Sequence, residues 1–187
     1  MNKKIAFASF ILSVLTIFLM TGFKNHTFKE MVKTEFEDNM TPKKVNYELI
    51  EKYELINFKT KEKITTDKLK NKLFILNFYE PWCPACNKEF YVLDNFAKLY
   101  KGKIKVLSVS SGEDMEMLNN WYRKWKYKNI DFYIDKTDKL TRFFKVRSIP
   151  ATYIIKNQKV LYEFIGDRDY MSLSFRNYMD YLLKQND

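Results

Sequence analysis

NFYEPWCPACNKEF, residues 77–90, contains both cysteines of this 187-residue chain, Cys83 and Cys86. It overlaps the run LFILNFY, residues 73–79, whose nearly continuous apolar character predicts a central strand covered on both faces of a sheet. Apolar residues at helical spacing follow at Phe90, Leu93, Ala97 and Tyr100. The cysteine pair is therefore predicted to lie between a buried strand and the first turn of a helix.

A cysteine at the N-cap of a helix faces free backbone N–H groups and the positive end of the helix dipole, which favour thiolate over thiol. Cys83 takes this position in the predicted helix, and Pro84 suits the first helical position. Cys86 follows one turn later, close enough to form a disulfide with Cys83. We predict that Cys83 is the exposed nucleophile that forms a mixed disulfide with a partner, and that Cys86 resolves it.

Other roles for the two cysteines explain the spacing less well. A disulfide across so short a loop removes little chain entropy, which argues against a purely structural bridge. A haem-attachment motif requires His after the second cysteine, where this chain has Asn87. Two cysteines and His26 are too few for a zinc site with four Cys/His ligands. We expect no metal, and no cofactor other than a redox-active disulfide between Cys83 and Cys86.

The composition limits the class of protein. With 46% hydrophobic residues the chain can fill a core, which argues against a wholly disordered chain. The net charge of +10 invites a nucleic-acid interpretation, but only five of the 33 basic residues are arginine, which is favoured for base and phosphate contacts. The lysines are spread among 23 acidic residues. We therefore predict a solvated lysine-rich surface and no nucleic-acid partner.

The N-terminus indicates export. Lys3 and Lys4 precede an apolar run that extends from Ile5 through Phe23, about 28 Å as a helix and just enough to cross a bilayer. No A-x-A cleavage pattern is visible, so we interpret residues 1–23 as a signal or anchor segment, with an uncleaved anchor favoured. The rest of the chain is then expected at the extracytoplasmic face of the membrane, or secreted or periplasmic if the segment is cleaved.

The remaining chain divides into two parts. Residues 24–52 are charged and loosely periodic, and we interpret them as a spacer with a short helix over 28–36. Residues 53–187 are interpreted as one domain. Its further strands are predicted over 104–109, 132–134, 151–155 and 160–165. Its further helices are predicted after a Ser110–Glu113 capping box, over 140–144 and from Met171 to Leu182. This order predicts an α/β fold with a central mixed β-sheet and helices on both faces.

Two landmarks resemble one known family. Residues 77–90 resemble the active-site segment of thioredoxin-like proteins of the TlpA/ResA type, and VRSIPAT, residues 146–152, resembles their cis-proline loop. The likeness covers residues 53–184. It implies a thioredoxin-like fold and a membrane-tethered thiol–disulfide oxidoreductase outside the cytoplasm, in agreement with the interpretation of the N-terminus.

The resemblance also assigns roles to single residues. Trp82 resembles the tryptophan that shields the active site and contacts the partner, with a core aromatic as the alternative. Pro150 resembles the cis-proline, and the backbone of Ile149 is expected to pair with the partner peptide. Glu89 matches an acidic residue that handles the proton of Cys86, with a solvated glutamate as the alternative. Glu80 is a weaker candidate for the same role.

Departures from the family leave the redox direction open. Asn77 stands where thioredoxins carry a buried Asp, and Tyr91 stands where many relatives have a proline. The pair between the cysteines, Pro84-Ala85, is neither the Gly-Pro of thioredoxin nor the Glu-Pro common in ResA-like reductases, and proline in the first position also occurs in more oxidising members. The resemblance implies a reductase of disulfides in exported client proteins, with apocytochrome c as one candidate client and a membrane protein as electron donor. A disulfide-forming oxidant or isomerase, which would have a membrane acceptor, is one alternative. A non-catalytic peptide-binding module is another.

Overall fold

The computed structural model describes residues 27–49, 51–69, 72–112, 114–125 and 127–185. The predicted signal or anchor segment, residues 1–23, lies outside these ranges. Within them, no helix combines the length and the apolar character that crossing a bilayer requires.

The described residues form eight strands, five α-helices and one 3-10 helix. The strands are β1 (Lys43–Glu48), β2 (Glu54–Asn57), β3 (Lys63–Thr65), β4 (Leu73–Phe78), β5 (Lys105–Ser110), β6 (Asp131–Ile134), β7 (Ala151–Lys156) and β8 (Lys159–Ile165). The helices are α1 (27–40), the 3-10 helix (Thr66–Leu69), α2 (Pro84–Leu99), α3 (Met115–Trp125), α4 (Lys139–Phe143) and α5 (Leu173–Lys184).

The strands form one mixed sheet in the order β1-β8-β7-β4-β5-β6-β2-β3. Strands β4, β5 and β6 are parallel, and β7 joins β4 antiparallel. Every residue of β4 is buried, as its apolar run predicts. Its side chains alternate between the faces: Ile75 packs with α2, while Phe74 and Leu76 pack on the opposite face. The predicted mixed sheet is confirmed.

Helices cover both faces of the sheet, as predicted. Buried residues of α1, α2, α3 and α5 join one hydrophobic cluster. Residues of α4 and the 3-10 helix join the cluster on the other face, through Leu140 and Leu69 among others. Strand β4, which leads to the cysteine pair, is therefore enclosed on both sides.

The segment interpreted as a spacer, 24–52, contributes to this domain. Strand β1 pairs antiparallel with β8, with Lys43 opposite Glu163. Helix α1 buries Phe36 completely against the aromatic rings of β8 and α5. The packed domain thus includes residues 27–49, and the domain start proposed at residue 53 is too late. The charged pattern of this segment reflects an edge strand and a one-sided helix, which leave many residues exposed.

The burial of Phe36 predicts a large effect on stability. Its ring stacks on Tyr178 at 4.2 Å between centroids and meets Tyr162 edge-on at 5.0 Å. Removing a fully buried phenylalanine side chain costs about 3–5 kcal/mol. We expect Phe36→Ala to lower the free energy of unfolding by that amount in urea denaturation. Phe28→Ala is the control, because Phe28 lies on the same helix at 57% exposure; an equally small loss in both variants would show that α1 is not packed in solution.

Candidate active site

The cysteine pair lies where the sequence predicts, at the start of α2. Cys83 is the N-cap residue, Pro84 follows at the first helical position, and the Cys86 backbone N–H donates to Cys83 Sγ at 3.1 Å. One free donor of the first turn therefore contacts the sulfur, as the capping argument requires. A hydrogen bond from backbone N–H stabilises a thiolate more than a thiol, so this geometry suits a nucleophilic cysteine.

Cys83 and Cys86 are joined in a disulfide, with 5.3 Å between their Cα atoms. Cys83 is 4% exposed and Cys86 1% exposed, so the expectation of an exposed nucleophile is wrong for this disulfide state. The covalent bond to Cys86 and the hydrogen bond from the Cys86 N–H both hold Cys83 Sγ against the first turn of the helix. A partner disulfide would need to reach Cys83 through the surface beside it.

Trp82 precedes Cys83 in the chain, and the loop before β7 lies at the same end of the sheet. Trp82 is 63% exposed, so it is not a core aromatic. The Ile149–Pro150 peptide bond is cis, which confirms the prediction for Pro150. Because Phe78 pairs with Ala151, the proline lies at the end of the sheet from which β4 leads to Cys83. Ile149 is half-buried between the two clusters.

Glu89 is buried instead of solvated. It is 1% exposed on α2, three residues after Cys86, and the alternative of a surface glutamate is therefore wrong. Both of its carboxylate oxygens accept hydrogen bonds: Oε2 from Asn77 Nδ2 and Oε1 from the Tyr170 hydroxyl, each at 2.9 Å. Burial raises the pKa of Glu89 to about 8, although the bonds from Tyr170 and Asn77 act in the opposite direction.

The Glu89 carboxyl belongs to a buried polar network. Asn77 also donates to Thr152 Oγ1 at 2.9 Å and accepts from the Ser108 hydroxyl at 3.2 Å. Asn77 thus places an amide where a thioredoxin would place an Asp, and the carboxyl of the site comes from α2 instead. The Tyr170 and Thr152 positions carried no sequence signal for this role, because they lie 81 and 63 residues after Glu89 in sequence.

Glu80 has a different environment. Its carboxylate accepts hydrogen bonds from the Ser110 hydroxyl and the Ser111 backbone N–H, both at 2.8 Å. These bonds tie the segment before the cysteines to the end of β5, so Glu80 acts as a bracing residue here. Tyr91, at 71% exposure, faces solvent on α2. Among the described residues, no three His, Cys, Asp or Glu side chains are grouped as metal ligands.

The fold and this site define a thioredoxin-like protein with a CxxC disulfide beside a cis-proline. The chain belongs to the AhpC/TSA family, whose model matches residues 48–164. A thiol-disulfide oxidoreductase ResA of Bacillus cereus is 28% identical over 109 residues, which cover 57% of this chain and 62% of ResA. The chain thus spans under two thirds of the length of that relative. The resemblance to ResA-like proteins is confirmed.

Solved structures agree on the fold. StoA from Bacillus subtilis matches 68% of this chain and 97% of its own, with a TM-score of 0.59 and 18% identity. A putative thiol:disulfide interchange protein DsbE from Chlorobium tepidum matches 75% of this chain and 99% of its own, with a TM-score of 0.65 and 16% identity. Both are similar to this chain in the thioredoxin-like architecture.

Proposed function

We propose that the protein is a membrane-anchored, extracytoplasmic thiol–disulfide oxidoreductase that reduces disulfides of exported client proteins. The observation that carries the proposal is the Cys83–Cys86 disulfide at the N-terminus of α2, beside cis-Pro150 in a thioredoxin-like fold. Kinship with ResA, a named thiol-disulfide oxidoreductase, supports the activity. The apolar run of residues 5–23 supports the anchor.

The proposed reaction begins with the reduced pair. The Cys83 thiolate attacks one sulfur of the client disulfide, and the second client sulfur leaves as a thiolate that takes up a proton. Cys86 then loses its proton and attacks Cys83 Sγ, which releases the client's first sulfur and forms the Cys83–Cys86 disulfide. Two electrons have passed from the protein to the client. A membrane electron donor returns the disulfide to the dithiol.

Glu89 is the proposed acceptor of the Cys86 proton. It lies three residues along α2 from Cys86, on the same face of the helix. A pKa near 8 lets the carboxyl both take and return a proton close to neutral pH, whereas a carboxyl with its ordinary pKa near 4.5 would be a weak base. Asn77 and Tyr170 hold the two oxygens in place throughout the reaction.

The client is proposed to bind across Trp82 and the cis-proline loop. The exposed indole of Trp82 offers apolar area beside Cys83, and an extended client segment can pair with the Ile149 backbone as an added strand. Such binding recognises the client's backbone and a neighbouring disulfide and does not depend on a particular client sequence. It therefore suits several exported clients, of which apocytochrome c would be one.

The redox direction is tested by the equilibrium reduction potential of the full chain in a thiol redox buffer. We expect a potential near or below about −270 mV, the level of thioredoxin, for a reductase. The Cys86 N–H bond to Cys83 Sγ is the observation that favours the alternative, a disulfide-forming oxidant, because a stabilised thiolate stabilises the reduced form. A potential near about −120 mV would establish that alternative and reject the reductase.

A further inference from the structure

Two adjoining grooves at the end of the sheet opposite Cys83 are lined by lysines. The first lies at the start of β4 and β5, and its lysines are Lys72, Lys103, Lys105 and Lys156. The second lies between α1 and the β1–β8 edge, and its lysines are Lys29, Lys33, Lys44, Lys156 and Lys159. We call this surface the lysine pole. The two grooves share Lys156 and are therefore continuous.

The lysine pole has a large excess of positive charge. One carboxylate, that of Glu48, lines the grooves, and two more neutralise lysines from outside: Glu37 pairs with Lys44 at 2.8 Å and Asp131 with Lys105 at 3.7 Å. Among the described residues, eight lysines against three carboxylates leave an excess of five. The net charge of +10 is thus concentrated in part on one end of the domain.

The topology sets this pole against the active site. Strand β7 begins at Ala151, next to cis-Pro150, and ends at Lys156 in the lysine pole. Six residues of strand separate the two ends by about 17 Å. Strand β4 repeats the arrangement, because Leu73 lies in the first groove and Phe78 leads to Cys83.

Helix α1 shows from which end the chain approaches the domain. Lys29 and Lys33, near its start, line the second groove, whereas Met40 at its end accepts a hydrogen bond from the hydroxyl of Ser172, beside the active-site end of α5. The described chain therefore begins at the lysine pole. The apolar run ends at Phe23, and the four residues from there to residue 27 span at most about 14 Å.

We propose that the lysine pole rests on anionic lipid headgroups of the membrane, with the Cys83–Cys86 disulfide facing away from the bilayer. This proposal rests on the anchor in the proposed function, because the tether holds the pole within about two Debye lengths of the surface, each about 8 Å at physiological salt. Lysine is a flexible point charge, suited to a diffuse layer of phosphates. A compact phosphate ligand would favour the bidentate guanidinium of arginine, and no arginine is among the described residues that line either groove.

The test measures how fast individual lysines are acylated in the full chain reconstituted in vesicles. Vesicles of phosphatidylcholine alone are compared with vesicles that contain phosphatidylglycerol. We expect acylation of the exposed Lys72, Lys103 and Lys159 to slow at least about threefold on the anionic vesicles, and to recover at 1 M salt. Lys136 and Lys145, exposed near the active-site end, are expected to react equally fast on both.

Two variants of equal charge change provide the control. In K72Q/K103Q/K159Q we expect the remaining lysines of the pole, Lys29 among them, to lose their protection, whereas K136Q/K139Q/K145Q is expected to keep it. Thermal unfolding of both variants confirms that they fold. Equal acylation rates on the two kinds of vesicle would overturn the proposal. Protection of Lys136 and Lys145 instead of the pole would overturn the proposed orientation.

Flotation separates this proposal from the anchor and from the redox activity. A chain that floats with neutral vesicles is anchored by its apolar segment. The protection of its lysines from acylation then tests whether the lysine pole rests on anionic lipid. A chain that does not float with neutral vesicles has no anchor. If such a chain floats with anionic vesicles, and K72Q/K103Q/K159Q does not, the binding of the lysine pole to anionic lipid is still supported. If it floats with neither kind of vesicle, that binding is rejected. Turnover of a soluble disulfide, measured in parallel, reports the oxidoreductase independently.

Discussion

Cys86→Ser is expected to stall the protein as a mixed disulfide with its client, whereas Cys83→Ser abolishes exchange altogether. Both variants lose turnover, by at least about 10³-fold, because a serine hydroxyl does not ionise near neutral pH and does not attack a disulfide. They differ in what accumulates. Only the variant that keeps Cys83 forms the first bond to the client.

The structure supports this division of labour. Cys83 occupies the N-cap, where the N–H of residue 86 contacts its sulfur through the backbone, and this contact survives when Cys86 becomes serine. Cys83 is 4% exposed and Cys86 is 1% exposed, and Cys86 lies one turn further along α2, so we expect a client disulfide to meet Cys83 first. With Cys86 replaced, no second thiol is available in the chain to release the client.

The measurement combines turnover of a generic disulfide substrate with intact-mass analysis of the trapped species. We expect a client adduct for Cys86→Ser, none for Cys83→Ser, and none for the double variant Cys83→Ser/Cys86→Ser, which is the matched control. An adduct on Cys86 in the Cys83→Ser variant would reverse the assigned roles. Client binding by the double variant, together with a wild type that turns nothing over, would instead favour a peptide-binding module.

The segment from β4 to α2 could be predicted because its signals are local. Consecutive apolar residues predict the buried strand β4. The N-cap position of Cys83 follows because the strand ends before it and Pro84 begins the helix. The turn between β7 and β8 falls in the gap between the strands predicted over 151–155 and 160–165. Asn157 and Gln158 both have positive φ, at 52° and 65°, so they form the tight turn without a glycine.

The parts that could not be predicted depend on partners far away in sequence. The sequence of β1 is charged and alternately exposed, which does not by itself predict a strand. It forms one because it pairs with β8, more than a hundred residues later in the chain. Ser110 was expected to cap α3, but it ends β5 and donates to Glu80, while Asp114 Oδ1 accepts the Met117 N–H instead. The Ser110 hydroxyl bonds to the charged Glu80 carboxylate, which is a stronger partner than the backbone at the start of α3.

The burial of Glu89 could not be predicted either, because it also depends on residues far away in sequence. Its position on α2 allowed either a solvated or a buried side chain, and the choice depends on Asn77 from β4 and Tyr170 from the loop before α5. Local spacing relates Glu89 only to Cys86. The polar partners that make its burial tolerable become visible once the sheet and α5 are assembled.

Glu89→Gln is expected to remove a pH dependence of stability from the protein. Burial raises the pKa of Glu89 from its ordinary value near 4.5 to about 8, so between these values the folded protein keeps a proton that the unfolded chain has released. The folded state then binds more protons, and the free energy of unfolding falls as the pH rises from about 4.5 to 8. The fall is at most about 1.4 kcal/mol per pH unit.

Urea denaturation of the oxidised protein at pH 5 and pH 8 measures this effect. We expect the wild type to lose a few kcal/mol between the two values and Glu89→Gln to lose far less, because glutamine is neutral throughout. Glu116→Gln is the matched control: Glu116 is exposed on α3, and the same substitution there should leave the wild-type difference intact. An unchanged difference in Glu89→Gln would show that Glu89 is ionised in the fold at neutral pH.

A second measurement distinguishes proton transfer from a purely structural role of Glu89. If the carboxyl accepts the Cys86 proton, release of a client from the preformed mixed disulfide should slow by about 10²-fold in Glu89→Gln, and the rate should lose the rise that the wild type shows as Glu89 ionises toward pH 8. Stability alone does not impose that pH profile on a single chemical step. A release rate equal to the wild type across the range, in a variant that folds, would leave Glu89 as a buried structural carboxyl and assign the Cys86 proton to solvent.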